Sequence, residues 1–252
     1  MSTEVRQLCT TSELQQADEL LRIVWDAEGG DAPFPLDVMQ ALAHTGGYVA
    51  GAFTGGQLIG AAVAFRTISG SLHSHVAGVL PDQRGRGVGL ALKLNQRGWA
   101  AEIGLPSISW TFDPLIRRNA YFNLHRLRAV AEEYLPNFYG AINDGVNGGD
   151  LTDRLFVTWE IPEPVDQTPP PLLESAKPLL DADGVLRAAS GPVVRCAVPP
   201  DIESLRRKDP AAARRWRLAL REALGGALAD DYRVAGFHRS GWYLLCRRDA
   251  SA

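Results

Sequence analysis

The pattern of apolar positions divides the first part of the chain into short strands. Alternating or continuous apolar runs, bounded by glycine, proline or polar residues, are typical of strands. Such runs are Val5 to Cys9, YVAGAF, LIGAAVAF, Leu72 to Leu80, SISWTF, AVAEEY and RLFVTWEI. The glycines of Thr54-Gly55-Gly56-Gln57 suit a hairpin turn between YVAGAF and LIGAAVAF.

Apolar residues at helical spacing predict the helices between these strands. The first helix has Thr11 or Ser12 as its N-cap and stops at Gly29 and Gly30, and a short second helix follows DAPFP and reaches about His44. In the third helix one face holds Val88, Ala91, Leu92 and Trp99, whereas Lys93 and Arg97 point elsewhere. A fourth amphipathic segment is RRNAYFNLHRLRA. The resulting order is sheet, helix, strand, helix, sheet.

The composition changes after residue 161. The stretch EPVDQTPPPLLESAKP is proline-rich and cannot sustain a helix or a central strand. After it come a strand VVRCAVP, a helix with Asp209 as N-cap and Pro210 at its first position, and a hairpin of YRVAGF and GWYLLCR. We therefore predict a first domain at 1–161, a connector at 162–178 and a smaller C-terminal α/β subdomain at 179–252. Its helix has an apolar stripe that must be covered, formed by Trp216, Leu220, Ala223, Leu224 and Ala227.

Composition and charge limit the function classes. The 252 residues are 46% hydrophobic and carry a formal net charge of -3, which argues against a surface built for nucleic acid or for an anionic membrane. The three cysteines lie far apart and match no metal spacing, so we expect no metal site and no disulfide framework. Because the chain shows neither a signal-peptide pattern nor a long apolar run, we expect a cytoplasmic protein.

A glycine-rich loop after the Leu72 to Leu80 strand is the most specific motif. It reads Arg84-Gly85-Arg86-Gly87-Val88-Gly89 and leads into the third helix. Backbone amides of such a turn, at a helix N-terminus, bind phosphate. A nucleotide-binding P-loop is excluded because Leu90 and Ala91 replace its lysine and hydroxyl, and the glycine spacing fits a dinucleotide fingerprint poorly.

The strand, loop and helix together resemble the acetyl-CoA loop of the GNAT acyltransferase superfamily. Three segments of the chain are similar to a less studied branch of predicted acetyltransferases in that superfamily: LHSHVAGVLP, WTFDPL and RNAYFNLHRL. The resemblance covers about Val5 to Ile161 and implies a mixed, mostly antiparallel central sheet flanked by helices. It implies acetyl-CoA or another acyl-CoA as co-substrate, held by Arg84, Gly85, Gly87, Val88, Gly89 and Leu90, with Arg86 or Lys93 at the adenosine phosphates.

Two histidines of the strand before the loop are candidate catalytic residues. His73 and His75 are two residues apart and so lie on one face. Either imidazole has the chemistry to take a proton from an acceptor ammonium, and His75 is the preferred base because it lies nearer the loop. The alternative is that both are packed strand residues. The resemblance places the oxyanion-binding amide near Gly78 or Val79, where Gly78 supports a bulge.

The helix after SISWTF holds further candidates. The resemblance implies a tyrosine that protonates the departing thiolate, but Leu124 stands at that position. Tyr121 or His125 are substitutes, although a packed Tyr121 is an equally good interpretation. By the resemblance, Asn119 matches an asparagine that bonds the pantetheine arm or the neighbouring strand, and helix capping alongside Asp113 is its alternative role.

Charged residues near that helix suggest an acceptor site. Arg117 and Arg118 have the chemistry to clamp an acceptor carboxylate, with Asp113 beside them, or they are surface arginines. The sequence thus predicts an acyl-CoA-dependent N-acyltransferase that moves an acetyl or succinyl group to a small primary amine, such as an amino acid. An acyl-CoA sensor without turnover is the alternative, and a homodimer is compatible with either. A third possibility is a basic face that binds RNA, and the interleaved acidic residues disfavour it. Its members would be Arg206, Arg207, Lys208, Arg214, Arg215, Arg217 and Arg221.

Overall fold

The computed structural model describes residues 3–27, 33–142, 149–162 and 170–248. Its strands are β1 (Glu4–Gln7), β2 (Tyr48–Thr54), β3 (Gln57–Arg66), β4 (Leu72–Val79), β5 (Ser107–Phe112), β6 (Val130–Leu135), β7 (Arg154–Glu160), β8 (Lys177–Leu180), β9 (Val193–Ala197), β10 (Tyr232–His238) and β11 (Trp242–Arg247). Its helices are α1 (Thr11–Trp25), α2 (Leu36–His44), α3 (Val88–Glu102), α4 (Arg117–Ala120), α5 (Ile202–Lys208), α6 (Pro210–Leu220) and α7 (Gly226–Ala229). No helix of these ranges is long and apolar enough to cross a membrane.

Contacts within the chain group it into two compact units. The first holds the described residues up to Trp110 together with 160–162, and the second holds 111–142, 149–159 and 170–248. This boundary differs from the one expected after residue 161, and the division into 1–161, 162–178 and 179–252 stays a prediction. The connector lies partly outside the described residues, and β8 starts within it, at Lys177.

The first unit contains a mostly antiparallel sheet in the order β1-β2-β3-β4-β5, in which only the β4–β5 pair is parallel. Helices cover both faces. A Cβ on Gly60 would lie 3.1 Å from Leu92 of α3, whereas one on Gly78 would lie 2.7 Å from Trp25 of α1. Because Gly78 pairs with Ala61, the neighbour of Gly60, the two helices cover opposite faces. The expected mixed sheet flanked by helices is confirmed.

The N-cap of helix α1 lies one residue before the first of its two predicted positions. Thr10, not Thr11 or Ser12, is the N-cap, and its side chain accepts from the Glu13 amide while Glu13 accepts from the Thr10 amide. This reciprocal capping box fixes the start of the helix. The helix ends at Trp25 with Asp26 in a left-handed conformation, and the predicted stop at Gly29 and Gly30 lies outside the described residues.

The second unit combines the β6–β7 hairpin with a four-stranded sheet in the order β10-β11-β9-β8. Asp209 caps α6 by accepting from the Ala212 amide and Pro210 is the first helical residue, as predicted. The sequence interpretation missed β8 and α5. Both elements are short, and β8 contains a proline, a residue that normally argues against a strand.

The basic residues of α5 and α6 do not form one solvated face. Arg217 is only 2% exposed and lies 2.9 Å from Asp150, while Arg221 forms a bidentate pair with Asp153. Arg206 is also buried, within 2.6 Å of Asp113. Three of the seven basic residues of the disfavoured RNA-binding face are therefore used inside this unit, whereas Arg207, Lys208, Arg214 and Arg215 are exposed. Four residues of the predicted apolar stripe are buried as expected, namely Leu220, Ala223, Leu224 and Ala227. The fifth, Trp216, is half-buried, and its ring packs against Gly184.

Candidate functional site

The glycine-rich loop joins β4 to α3 through two left-handed glycines. Gly85 has φ +77° and Gly87 has φ +84°. Gly87 is the N-cap of α3 and offers no side chain to cap the helix. The first amides of the helix, from Val88 to Leu90, therefore have no partner inside it and carry the positive end of the helix dipole. At the loop's start, Nε of Arg84 donates to the Val79 carbonyl oxygen at 3.4 Å.

The space over these glycines is open. Among the described residues other than their chain neighbours, no atom lies within 4 Å of a Cβ placed on Gly85 or Gly87, and a Cβ on Gly89 would meet Val79 Cγ2 at 3.9 Å. The Arg86 side chain is exposed beside them, whereas Val88 is buried and anchors the helix start. An anion can thus approach the amides of Val88, Gly89 and Leu90 directly, with Arg84 and Arg86 as neighbouring cations.

Lys93 does not belong to this phosphate site. The sequence placed it away from the apolar face, as a partner for the adenosine phosphates, but it is only 7% exposed. Its Nζ donates to Ser74 Oγ at 2.8 Å and lies 3.8 Å from the centre of the Trp110 ring. The prediction is wrong because α3 packs on the sheet with Lys93 and Gln96 on its buried side.

The pairing of strand β4 with β5 ends well before β4 reaches the glycine-rich loop. Their parallel ladder consists of Leu72 with Ile108 and His73 with Ser109, whereas β4 continues to Val79. Among the described residues, the ladder pairs no residue of β4 beyond His73 with β5, and an extended ligand with amide groups fits such a strand edge. Pairing with β3 continues along the other side as far as Val79.

The irregular point of β4 is at His75. Ser74 pairs with Ala64 and Val76 with Val63, so His75 is an extra residue in the ladder. Gly78, where the sequence suggested a bulge, pairs regularly with Ala61. That expectation is wrong because glycine is needed there for the close approach of Trp25.

The two histidines share one side of the sheet, as their spacing predicts. Their ring centroids are 6.2 Å apart, and each ring also contacts Phe65, at 5.3 Å from His73 and 5.8 Å from His75. Phe34, which precedes α2, packs edge-on against His75 at 5.5 Å. Nδ1 of His73 lies 3.3 Å from Ser109 Oγ.

Both imidazoles are neutral near pH 7. Desolvation by burial lowers the pKa of His73 to about 4, and the charges of His75 and Lys93 add to this effect. Desolvation also lowers the pKa of His75. A neutral imidazole accepts protons, which suits the predicted role of His75 as a general base. The assignment itself stays a prediction.

In the second unit α4 continues into a π-helical segment, Tyr121–Arg126. Tyr121 stacks on His125 with centroids 4.5 Å apart, and Leu124 is buried. The capping alternative for Asn119 is wrong, because Ile116 is the N-cap of α4 and α4 has no side-chain cap. The roles of Tyr121 as an acid and of Asn119 towards the cofactor stay predictions.

The predicted acceptor residues already have partners. Both guanidinium amino groups of Arg118 pair with Glu203, Arg117 donates to the Val198 carbonyl oxygen at 3.1 Å, and Asp113 pairs with Arg206. A cavity of about 420 Å³ lies in this unit. Its lining comprises Ile116, Arg117, Arg118, Tyr121, Pro200, Asp201, Ile202, Glu203 and Arg239. It stays a prediction that an acceptor contacts Arg117, Arg118 and Asp113.

Sequence reasoning missed a buried polar cluster formed by Ser74, Lys93 and Gln96. A signal was present, since Lys93, Gln96 and Ala100 follow the i, i+3, i+7 spacing of one helix face. Within the described ranges, no group of three or more His, Cys, Asp or Glu side chains is arranged to hold a metal ion.

Neither a protein-family model nor a curated protein matches the sequence. Solved structures match its fold. The ribosomal-protein-S18-alanine N-acetyltransferase of Escherichia coli aligns with a TM-score of 0.52 at 11% identity, over 66% of this chain and 98% of its own. An acetyltransferase of Salmonella typhimurium, solved with its cofactor acetyl-CoA, aligns with a TM-score of 0.51 at 16% identity, over 67% and 99%.

An aminoglycoside 6'-acetyltransferase type Ii gives a TM-score of 0.51 at 19% identity, over 65% of this chain and 100% of its own. At these identities the likeness concerns the fold. Nearly the whole length of each acetyltransferase is contained in about two thirds of this chain. The chain therefore has the fold of the GNAT acetyltransferases.

Proposed function

We propose that the protein is an N-acyltransferase that moves an acyl group, acetyl or succinyl, from coenzyme A to a small primary amine. The observation that carries this proposal is the loop from Arg84 to Leu90. Its amides are free at the start of α3, its glycines leave open space above them, and the β4–β5 opening lies in front of it. A pyrophosphate fits the loop, and an extended chain with amide groups fits the free edge of β4.

The acyl group would move by direct attack of the amine on the thioester. His75 takes the proton of the acceptor ammonium, so that the nitrogen has a free electron pair. A backbone amide of β4 beyond the ladder donates to the carbonyl oxygen as it becomes negative. The neutral state of the imidazole and the free strand edge support these assignments.

The acceptor class depends on the side chains around the two histidines and not on the fold. The structures of similar fold include, by their names, enzymes for a ribosomal protein and for an aminoglycoside, so the fold does not select an acceptor. Aromatic rings of Phe34 and Phe65 surround the two histidines. Such an environment favours one ammonium group on an otherwise apolar or uncharged body over a polycation.

The test is a product analysis. The protein is incubated with acetyl-CoA or succinyl-CoA and a library of amino acids and other primary amines, and masses are recorded before and after. We expect an amine with the added mass of one acyl group, together with free CoA thiol. The Gly89→Val variant, whose side chain blocks the loop, serves as the matched control and should give less product at acyl-CoA concentrations that do not saturate it.

An acyl-CoA sensor is the alternative, because Leu124 stands where the resemblance implies a proton donor. Thiol release separates the two functions. Binding of acetyl-CoA without thiol release, across the whole amine library, would favour the sensor over the enzyme.

A further inference from the structure

A buried polar cluster lies under β4, on the side of α3. Nζ of Lys93 donates to Ser74 Oγ at 2.8 Å and to Gln96 Oε1 at 3.4 Å, and the face of Trp110 lies 3.8 Å away. Lys93 is 7% exposed, Ser74 4% and Gln96 1%. A lysine amine buried to this extent is rare unless it has a carboxylate partner or a chemical role.

The cluster sits at the point where the sheet opens. The last pair of the β4–β5 ladder is His73 with Ser109. Ser74 and Trp110 are the next residues of the two strands, and both contact Lys93 Nζ. The amine therefore lies at the apex of the opening, on the face opposite to α1.

No carboxylate of the described residues lies within 4.0 Å of Lys93 Nζ. Burial lowers its pKa from 10.5 to about 7. A titratable group that interacts with it across the strand is His73, whose imidazole is neutral near pH 7. Nε2 of Gln96 is buried without a hydrogen-bond partner. An incompletely satisfied polar cluster of this kind indicates a place for another polar group.

We propose that Lys93 is a catalytic residue that protonates the departing thiolate of coenzyme A. The proposal rests on the proposed function. Lys93 is five residues beyond Val88, or about 7.5 Å along the helix axis from the phosphate-binding amides. A chain whose pyrophosphate is held at those amides, and which enters the opening beside β4, passes the apex where Nζ lies.

The step balances in atoms and charge. The acceptor nitrogen forms the C–N bond at the carbonyl carbon, the C–S bond breaks, and its electron pair goes to sulfur. The Lys93 ammonium gives its proton to the thiolate and becomes a neutral amine. His75 first passes the proton of the acceptor ammonium to solvent. It then takes the second proton, which the acceptor nitrogen loses after the attack, and solvent returns one proton to Lys93 and removes this second one from His75. Lys93 thus does what the resemblance assigns to the residue at Leu124.

The first experiment uses the unaltered protein. The chain has three lysines, at 93, 177 and 208, so the ¹⁵N signals of their amines are simple to assign. The Lys93 signal is titrated with pH in the presence of CoA and of desulfo-CoA. Because a thiolate stabilises a neighbouring ammonium, we expect a higher Lys93 pKa with CoA than with desulfo-CoA. Equal values with both ligands bound would overturn the proposal.

The second experiment measures the thiol. Thiolate absorbance of bound CoA is titrated in the wild type, in Lys93→Met and in the control Lys208→Met, whose lysine is exposed. The thiol pKa should rise in Lys93→Met and stay unchanged in the control. An unchanged thiol pKa in Lys93→Met, with CoA still bound, contradicts the role of Lys93. Failure of every protein to bind CoA would instead contradict the proposed function.

Kinetics separates proton transfer from a purely electrostatic role. Lys93→Met should lower kcat about 100-fold or more and remove the fall of kcat above pH 7 that loss of the Lys93 proton causes. Lys93→Arg keeps a charge but gives up no proton near neutral pH, so it should be equally slow. Wild-type turnover in Lys93→Arg, or an unchanged pH profile in Lys93→Met, would rule out Lys93 as the acid.

Discussion

The Nζ of Lys93 lies 2.8 Å from the Oγ of Ser74, and both side chains are shielded from solvent. Burial disfavours the ammonium form in the folded protein and holds its pKa at about 7. The resulting penalty is complete below pH 7 and disappears as the pH rises towards 10.5, the value in the unfolded chain.

Lys93→Met should therefore stabilise the protein at pH 6, by on the order of 3 kcal/mol, and much less at pH 9.5. Urea denaturation at both pH values measures the difference, with Lys208→Met as the control for loss of a lysine. A stability difference that does not change between pH 6 and pH 9.5 would show that Lys93 titrates normally.

The loop glycines have two separable roles. Gly87 needs its left-handed conformation, so Gly87→Ala should destabilise the protein by about 1–2 kcal/mol. Gly89 is helical and open, so Gly89→Val should leave the melting temperature nearly unchanged while its side chain blocks the amides. We expect its affinity for acetyl-CoA to fall at least about tenfold, on the scale of one lost charge-assisted contact. Calorimetry would contradict this if Gly89→Val bound like the wild type.

His75 and His73 form a matched pair for testing the general base. His75→Ala should lower kcat about 100-fold or more at pH 7, and less at high pH where the acceptor amine is already deprotonated. His73→Ala should have a smaller effect, since His73 contacts Ser109 within the sheet. A pH-rate profile of His75→Ala parallel to that of the wild type would return His75 to a packing role.

Much of the first unit could be predicted from the sequence because its strands carry apolar runs and its turns carry glycines. The hairpin at Gly55 and Gly56 follows local rules, as does the helix start at Pro210 in the second unit. The sequence interpretation misplaces Lys93, because a charged lysine favours the solvent side and this outweighs its spacing with Gln96 and Ala100. The bulge at His75 has no local signal either, since it arises from the pairing of β4 with β3.

The buried arginines of the second unit should determine its stability. Arg217 is 2% exposed and lies against Asp150 and Asp153. Removing its charge takes the bidentate partner from the partly buried Asp150, while Asp153 keeps Arg221, so Arg217→Met should destabilise the fold by about 1–3 kcal/mol. The exposed Arg214→Met is the control, with a change within about 0.5 kcal/mol. Equal denaturation midpoints for the two variants would show that the buried pairs contribute little.

The central claim is that the loop from Arg84 to Leu90 binds the pyrophosphate of an acyl-CoA. The most direct measurement is calorimetric titration of the protein with acetyl-CoA, desulfo-CoA and pantetheine, which lacks the pyrophosphate. We expect micromolar dissociation constants for the first two ligands and binding at least about 100-fold weaker for pantetheine. No binding of acetyl-CoA or desulfo-CoA in the micromolar range, or equal affinity for pantetheine, would contradict the account.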